Sequence, residues 1–263
     1  STENREATEK SFKEHNYFGY DKTKIKFLNQ GNLPLMFTNG KLVLDKDCSI
    51  KMAADGNGCV YKAMKQCGIL EDMREKGIKW VFIGAVDNAL LNMTDEVLLG
   101  LTIKNKNEAA TKSIVKNSPK EKVGVFCKIN NIISVIEYSE LPEAMAEMID
   151  DNGELLYGEA HIMCNLFSID ALEKIANVNL PYHVALKKTN YLNNKGEFIE
   201  ATEPNAYKFE AFIFDAFNYF DDITIYRGIR EEDFAPIKNS KGVDSPETAI
   251  KLYNNYWQKK LNK

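Results

Sequence analysis

The segment 79–88 (KWVFIGAVDN) constrains the fold of this chain more than any other stretch. Its first half is aromatic and β-branched, which is typical of a strand buried on both faces in a largely parallel sheet. The run ends at the carboxylate of Asp87 and the amide of Asn88. Ligands of open α/β sheets lie just beyond the carboxyl ends of the strands, so Asp87 is a candidate for catalysis or metal binding. The simpler alternative is that Asp87 starts a turn or caps a helix.

Composition excludes several classes of protein. The 263 residues, 44% of them hydrophobic, suffice for one large domain with a sizeable core. The net charge of −4 argues against a general nucleic-acid or anionic-membrane partner, and no apolar run is long enough to span a membrane. The five cysteines form no CxxC pair, and the three histidines complete no obvious zinc set. We therefore expect reduced thiols and a cytoplasmic protein.

A glycine-rich turn, 55–58 (DGNG), is the second candidate site. Gly56 and Gly58 allow the backbone to turn and to bring its N–H groups close to a ligand. A helix is predicted over 60–67, so these amides lie near a helix N-terminus, which favours anions or polar ring edges. Most glycine-rich turns bind nothing, and the pattern alone leaves both interpretations open.

Other segments predict local structure. Asn39-Gly40 and Asn130-Asn131 each separate two apolar runs and predict hairpins. We further expect a strand over 24–28 and helices over 142–150 and 181–188. The aromatic residues of 205–217 recur at helical spacing and predict a core helix. His161 lies in an apolar segment, where a histidine is most often a hydrogen-bonded core residue.

Nine segments, in this order and approximate spacing, resemble the eukaryotic-type UDP-N-acetylglucosamine pyrophosphorylases. They are QGNLP at 30–34, MAADGNG at 52–58, VDN at 86–88, VGV at 123–125, EYSE at 137–140, YHVA at 182–185, PN at 204–205 with Lys208 and Glu210, FIFD at 212–215, and REEDFAPIKN at 230–239. The resemblance covers essentially the whole chain. It implies an α/β, Rossmann-like nucleotide-diphospho-sugar transferase fold, with a mixed, mostly parallel central sheet flanked by helices. It also implies a catalytic domain over 1–240, followed by a C-terminal helix or the remnant of a small region over 241–263.

The resemblance implies a metal-dependent uridylyltransferase. N-acetylglucosamine 1-phosphate would attack the α-phosphate of UTP, giving pyrophosphate and UDP-N-acetylglucosamine, with Mg²⁺ or Mn²⁺ as cofactor. The implied partners are UTP, an N-acetylhexosamine 1-phosphate and the UDP-sugar product, with no nucleic acid or membrane, and a monomer is the default expectation. Two alternatives stay open: a uridylyltransferase for glucose 1-phosphate or galactose 1-phosphate, and a catalytically dead fragment that binds nucleotide sugars.

The resemblance also implies roles for individual residues. Asp87 resembles the family's carboxylate that lies beside the phosphates and binds magnesium. Lys238 resembles the lysine that binds a phosphate. These two residues are the catalytic candidates. The residues that resemble the uridine contacts are Gln30, Gly56 and Asn57. Those that resemble the sugar contacts are Gly124, Glu137, Tyr138, His161, Phe212 and Phe214. A core-helix role for the two phenylalanines stays an equal alternative.

The chain departs from the family's pattern at several points. The glycine-rich loop with its arginine and following Pro-Lys, which cradles the triphosphate, is absent from these 263 residues. We therefore expect a partial chain that lacks the N-terminal part of the sheet, binds UTP poorly and turns over little. His161 stands where the family has an asparagine that contacts the sugar, which leaves the preferred sugar open. Ala54 replaces a proline, and this sequence ends soon after Trp257, whereas the family often carries a further small C-terminal β domain.

Overall fold

The computed structural model describes residues 3–262, which contain helices, strands and four short 3₁₀ segments. The helices are α1 (Arg5–Glu14), α2 (Val60–Gln66), α3 (Ile69–Glu75), α4 (Glu96–Asn105), α5 (Glu143–Ala146), α6 (Ile169–Ala176), α7 (Arg230–Asp233) and α8 (Pro246–Leu261). The strands are β1 (Asn32–Pro34), β2 (Met36–Phe37), β3 (Met52–Ala54), β4 (Trp80–Gly84), β5 (Ala109–Val115), β6 (Val125–Ile129), β7 (Ile132–Ile136), β8 (Glu159–Ser168), β9 (His183–Lys187), β10 (Tyr191–Leu192), β11 (Phe198–Ile199), β12 (Ala206–Glu210) and β13 (Thr224–Arg227). The 3₁₀ segments are Asn16–Gly19, Lys22–Lys24, Asn57–Cys59 and Ile213–Tyr219.

The described chain divides into two compact units, 3–72 with 173–216 and 73–172 with 217–262. The predicted boundary at residue 240 stays a prediction. Across residues 3–262, none of the helices combines the length and the apolar character needed to cross a membrane.

The first unit contains small antiparallel sheets. β1 pairs with β3, β10 pairs with β11, and β12 lies between β2 and β9. The predicted Asn39-Gly40 turn is present: Gly40 has φ +82°, and its N–H donates to the carbonyl of Phe37 at 2.9 Å. Val43 and Ala206 are fully buried in the small core of this unit.

Three predictions in the first unit are wrong. Residues 24–28 form no strand: Lys24 ends the 3₁₀ segment Lys22–Lys24, and residues 25–28 have no regular structure. The predicted helix over 181–188 is strand β9, and the predicted core helix over 205–217 is strand β12 followed by the 3₁₀ segment Ile213–Tyr219. Aromatic spacing alone does not distinguish these structures, and pairing of β12 on both of its edges overrides the local helical pattern.

The second unit contains a six-stranded mixed sheet of order β13-β5-β8-β6-β7, with β4 also paired to β8. The prediction of a mixed sheet is confirmed, but its mostly parallel character is wrong for the described strands. Only β13 and β5 run parallel, because β8 runs antiparallel to β4, β5 and β6. β4 is also only half-buried along its whole length. Among the described strands it pairs with β8 alone, so one of its edges lacks a neighbour.

Several helix ends and turns that the sequence predicts are confirmed. Gly68 and Gly77 follow α2 and α3 with φ +67° and +72°, the left-handed conformation expected after a helix. Ser245 caps α8 through a reciprocal capping box with Thr248. The β6–β7 hairpin turns at Asn130-Asn131, while the helix predicted over 142–150 is only the single turn of α5.

Strand β8 contains an irregularity that the sequence did not predict. Against β5, Asn165 pairs with Thr111 and His161 pairs with Ser113, so three residues of β8 stand opposite a single residue of β5. Met163, in the middle of this bulge, has φ +48°. Bulges re-aim the side chains beside them and are common near functional sites.

Candidate functional site

The glycine-rich turn of the first unit is held by backbone contacts to residues 211–213. Ala211 donates to the carbonyl of Asp55 at 2.8 Å, and Gly58 donates to the carbonyl of Ala211 at 2.9 Å. Gly56 has φ +95°, and a Cβ placed on it would lie 2.2 Å from the Ala211 carbonyl oxygen. Asn57 Oδ1 accepts from the N–H of Ile213 at 2.8 Å. Gly56 and Gly58 are therefore required sterically, and Asn57 is held by its hydrogen bond, whatever the turn binds.

Gln30 lies at the same end of the β1–β3 ladder as this turn. The last pair of the ladder is Asn32 with Ala54, and Asp55 donates to the carbonyl of Gly31 just beyond it. A Cβ on Gly31 would lie 2.3 Å from Asp55 Oδ2, so a larger residue there would require the Asp55 side chain to move. Two antiparallel chain segments thus bring the backbone at Gln30 close to the glycine turn.

Phe212 and Phe214 form an aromatic cluster with His183. Their ring centroids are 5.1 Å apart, and the His183 ring lies 4.6 Å from that of Phe212. His183 Nε2 is 3.0 Å from Oδ2 of the buried Asp215. Phe212 is half-buried whereas Phe214 is buried, so Phe212 presents more of its surface to a ligand. Neither phenylalanine lies in the predicted core helix, since Phe212 follows a strand and Phe214 lies in a 3₁₀ segment.

In the second unit, the chain segments of Asp87 and Lys238 meet. The N–H of Ile237 donates to the carbonyl of Asp87 at 2.8 Å, and Asn88 forms a bridge with Pro236. Asp87 follows β4 by three residues and is half-buried, and Lys238 is exposed. The Lys238 amine lies 3.4 Å from the carbonyl of Lys122. The two catalytic candidates are therefore brought to one place in this unit.

Asn88 holds this junction together. Its Nδ2 donates to the carbonyl of Asp233 at 2.7 Å, and its Oδ1 accepts from the N–H groups of Ala235 at 2.8 Å and Leu90 at 3.1 Å. The side chain is 5% exposed. One buried amide thus satisfies three backbone groups, which is the usual condition for burying a polar side chain.

A buried lysine, Lys112, also stabilises the junction between the Asp87 and Lys238 segments, because it pairs with Asp233. Lys112 is 4% exposed, and its amine contacts the carboxylates of both Asp95 and Asp233. Burial alone would lower the pKa of Lys112, but hydrogen bonds to Asp233 and Asp95 raise it above its ordinary value. Burial likewise opposes ionisation of Asp95, whose pKa is nevertheless held below its usual range by Lys112 and the N–H of Leu98. Lys112 and Asp95 are therefore both charged at neutral pH, and the contact between Lys112 and Asp233 holds the residue whose carbonyl accepts from Asn88.

Four predicted sugar contacts lie on or next to β6, β7 and β8: Gly124 precedes β6, Glu137 and Tyr138 follow β7, and His161 lies in β8. His161 donates its backbone N–H to the carbonyl of Gly124 at 2.9 Å. A Cβ on Gly124 would lie 2.9 Å from Val135 and 3.2 Å from Glu137 Oε2, so the glycine keeps space beside that carboxylate. Tyr138 is exposed in the turn that follows β7.

The predicted site residues divide between the two units. The first unit contains Gln30, Gly56, Asn57, Phe212 and Phe214, and the second contains Asp87, Gly124, Glu137, Tyr138, His161 and Lys238. Sequence reasoning missed Asn88, His183 and the Lys112 cluster. A lysine inside the apolar run 109–115 was the available signal, because buried lysines are rare unless paired.

The chain matches, over residues 1–255, the protein family described as UTP–glucose-1-phosphate uridylyltransferase. The chain belongs to this family. It is 39% identical to the UDP-N-acetylglucosamine pyrophosphorylase of Saccharomyces cerevisiae, covering 95% of this chain and 54% of the relative. It is 38% identical to UDP-N-acetylglucosamine diphosphorylase 2 of Arabidopsis thaliana, covering 93% of this chain and 49% of the relative.

Solved structures of this uridylyltransferase family have the same fold. The crystal structure of the UDP-N-acetylglucosamine pyrophosphorylase of Trypanosoma brucei superposes with a TM-score of 0.80 at 31% identity, covering 96% of this chain and 51% of that one. A UDP-glucose pyrophosphorylase of Leishmania major superposes with a TM-score of 0.70 at 17% identity. At this identity the comparison shows only that the two chains share a fold. The resemblance stated from the motifs is thereby confirmed.

This chain spans about half the length of the curated family members it matches. The roles of the individual site residues, the metal, the monomeric state and the cytoplasmic location stay predictions.

Proposed function

We propose that this chain carries nucleotide- and sugar-binding groups of a uridylyltransferase that makes UDP-N-acetylglucosamine and pyrophosphate from UTP and N-acetylglucosamine 1-phosphate. An oxygen of the sugar phosphate forms a bond to the α-phosphorus of UTP. The bond between that phosphorus and the bridging oxygen to the β-phosphate breaks, and pyrophosphate leaves. The observation that carries the proposal is the 2.8 Å hydrogen bond from Ile237 to Asp87, which joins two segments far apart in the sequence.

The junction supplies the groups that transfer at phosphorus requires. Such reactions depend on neutralising the phosphate oxygens and on holding the reactants in line. Lys238 offers an exposed amine to the α-phosphate, and Asp87 offers a half-buried carboxylate to a cation. The charge of Lys112, in contrast, is balanced by the carboxylates of Asp95 and Asp233, so this lysine stabilises the fold and is not available to a phosphate.

A divalent cation fits this donor set. Among residues 3–262, no three His, Cys, Asp or Glu side chains are grouped so as to enclose a metal. Mg²⁺ is commonly held by one or two carboxylates together with waters and substrate phosphates, which matches a single Asp87. Asp87 would hold Mg²⁺ or Mn²⁺, and the bound ion would supply charge neutralisation at the phosphate oxygens.

We assign uridine to Gln30, Gly56 and Asn57, and the sugar to Gly124, Glu137, Tyr138, His161, Phe212 and Phe214. Gly56 is buried against the Ala211 backbone and shapes the turn, the neighbouring Asn57 is exposed, and the Glu137 carboxylate beside Gly124 is an acceptor for sugar hydroxyls. Phe212 offers an aromatic face to an apolar group such as an N-acetyl methyl.

The relatives favour the N-acetylated sugar. Those at 38–39% identity are named for UDP-N-acetylglucosamine, whereas the UDP-glucose pyrophosphorylase compared is only 17% identical. We therefore propose N-acetylglucosamine 1-phosphate as the preferred substrate over glucose 1-phosphate.

The test is pyrophosphate release from UTP and Mg²⁺ by the natural polypeptide that contains this sequence, with either sugar phosphate. We expect preference for N-acetylglucosamine 1-phosphate, and a loss of kcat/KM of about 100-fold or more in Asp87→Asn and in Lys238→Met. Lys241→Met is the matched control, because this exposed lysine lies in the same loop as Lys238.

Undiminished turnover in Asp87→Asn would refute the role given to the carboxylate. Preference for glucose 1-phosphate would favour the alternative substrate. Binding of UDP-N-acetylglucosamine without turnover in the natural polypeptide would favour a non-catalytic binding protein.

A further inference from the structure

The second unit contains a cavity of about 430 Å³ that includes none of the residues assigned to catalysis, the nucleotide or the sugar. Ligand sites in proteins typically occupy about 300–1,000 Å³, so this volume is large enough for a small molecule. Asp95 and Lys112 are buried members of its lining, and Asp233, Tyr226 and Tyr256 are half-buried members. The cavity therefore combines charged groups with aromatic walls.

Lys112 has unused hydrogen-bonding capacity within this cavity. It is only 4% exposed, and its ammonium group has three N–H donors. Two of them reach Asp95 Oδ2 and Asp233 Oδ1, each at 2.5 Å. Within residues 3–262 the amine has no third acceptor, and its other contact is the Tyr226 ring, whose centroid is 5.4 Å away. One N–H of a buried amine thus remains for an acceptor inside the cavity.

The two carboxylates beside Lys112 also keep acceptor capacity. Asp95 Oδ1 accepts from the N–H of Leu98 at 2.8 Å, and Asp233 Oδ2 accepts from the N–H of Ile229 at 2.9 Å. An ionised carboxylate offers about four lone-pair sites, so each of these groups can accept a further bond. A ligand that reaches Lys112 therefore meets a donor and two acceptors at the same place.

A hydroxyl is the group that satisfies both demands, because it accepts from the amine and donates to a carboxylate. A phosphate or carboxylate ligand would meet an excess of negative charge, since four carboxylates and two amines line the cavity. An ammonium ligand has no acceptor for the Lys112 N–H. A bare metal ion is not favoured either, since no three His, Cys, Asp or Glu side chains among residues 3–262 are grouped to hold one.

The aromatic walls favour a ring over a linear molecule. Tyr226 and Tyr256 both line the cavity, and the flat face of an aromatic side chain packs well against the C–H surface of a saturated ring. The cavity is also open to polar groups of a ligand, because its lining includes the exposed side chains of Glu96 and Lys260. A ligand with an apolar face and a hydroxylated rim matches this combination.

We propose that this cavity binds an uncharged, polyhydroxylated ring, either a sugar or a cyclic polyol. One hydroxyl accepts from Lys112 and donates to Asp95 or Asp233, and the ring packs against Tyr226. The site is separate from the assigned substrate residues and does not depend on the proposed function. It reaches the Asp87–Lys238 junction through Asp233, whose carbonyl accepts from Asn88 at 2.7 Å.

The test is saturation-transfer NMR on the natural polypeptide that contains this sequence, with glucose and myo-inositol as probes. An excess of UDP-N-acetylglucosamine is present throughout to occupy the assigned substrate site. We expect saturable binding of at least one probe, and the one that binds identifies a sugar or a polyol site. Glucose 6-phosphate should bind at least about tenfold more weakly than glucose or not at all, because the lining repels anions.

Tetrahydropyran, which has the sugar ring without its hydroxyls, tests the role of Lys112 and its carboxylates, and we expect no binding. The proposal is overturned if neither glucose nor myo-inositol binds, or if tetrahydropyran or glucose 6-phosphate binds as tightly as they do. Loss of probe binding on addition of UDP-N-acetylglucosamine also overturns it, since the probe then occupies the substrate site. If the proposed function is wrong, UDP-N-acetylglucosamine displaces nothing and the cavity result stands.

Two variants on one helix locate the binding. Val97→Trp places a large side chain in the cavity lining, whereas Ile103→Trp adds the same side chain to α4 outside it. The two positions are matched, with exposures of 54% and 55%. We expect Val97→Trp to weaken probe binding about tenfold or more and Ile103→Trp to leave it unchanged. Equal effects of the two variants would place the probe elsewhere and refute the proposal.

Tyr226→Leu is the second variant, and it decides if Val97→Trp does not fold. It keeps an apolar side chain in the wall but removes the aromatic face. We expect it to weaken binding about fivefold, whereas Tyr253→Leu, on the exposed surface of α8 outside the cavity, should have no effect. Unchanged binding in Tyr226→Leu would refute the packing of the ring against this tyrosine.

Discussion

The glycine turn of the first unit and the Asp87–Lys238 junction of the second are built on opposite principles. The turn depends on atoms that are missing, since a Cβ on Gly56 would lie 2.2 Å from a backbone oxygen. The junction depends on buried polar atoms that are present, namely the Asn88 amide and the paired Lys112 amine. The first site should therefore fail when atoms are added, and the second when they are removed.

Lys112→Met should have the largest effect. Removing the amine leaves the Asp95 and Asp233 carboxylates buried without their cation, which costs about 3–5 kcal/mol of unfolding free energy. Urea unfolding followed by tryptophan fluorescence measures this loss in the relevant unit, because both tryptophans, Trp80 and Trp257, lie there.

Lys259→Met is the control for that variant. Lys259 pairs with Glu232 in the same unit, but its side chain is 55% exposed, so solvent screens the pair. We expect no measurable loss, since exposed ion pairs contribute little. Equal losses in the two variants would show that burial of Lys112 is not what makes it important.

Gly56→Ala should have the second-largest effect. The added methyl combines a left-handed backbone, φ +95°, with a collision against the Ala211 carbonyl, and the two together cost about 3 kcal/mol. Hydrogen exchange of the first-unit amides, read by mass spectrometry, measures the loss, because that unit contains no tryptophan.

Gly40→Ala isolates the contribution of the collision. Gly40 has φ +82°, close to that of Gly56, but nothing lies within 4 Å of its Cβ position. Only the conformational cost of about 1–2 kcal/mol remains. If both variants lose the same stability, backbone conformation and not the contact with Ala211 makes glycine necessary at position 56.

The same contrast explains what the sequence could predict. Local signals succeeded: glycines 68 and 77 end helices, Ser245 begins one, and Asn130-Asn131 turns a hairpin. These features depend on neighbours within a few residues, which sequence patterns record directly. The glycine turn was recognised for the same reason.

Features made by distant residues were not predictable from local patterns. Lys112 meets Asp95 and Asp233 only after β5, α4 and α7 come together. Strand β12 was mistaken for a helix because its pairing with β2 and β9 overrides its aromatic spacing. Asp87 and Lys238 were placed together by motif resemblance, and not by any pattern within this sequence.

Asn88→Ala should have the smallest of the three effects. Three backbone groups lose the amide that satisfies them, but the Asn88–Pro236 bridge and the Ile237–Asp87 bond are backbone contacts and persist. We expect a loss of about 2 kcal/mol by tryptophan fluorescence in urea. Asn92→Ala is the control, because its Oδ1 accepts a single local bond from Thr94 at an exposed position. If the Asn88 loss is no larger than the Asn92 loss, backbone pairing alone holds the junction, and the proposed contrast between the two sites is reduced to the Lys112 cluster.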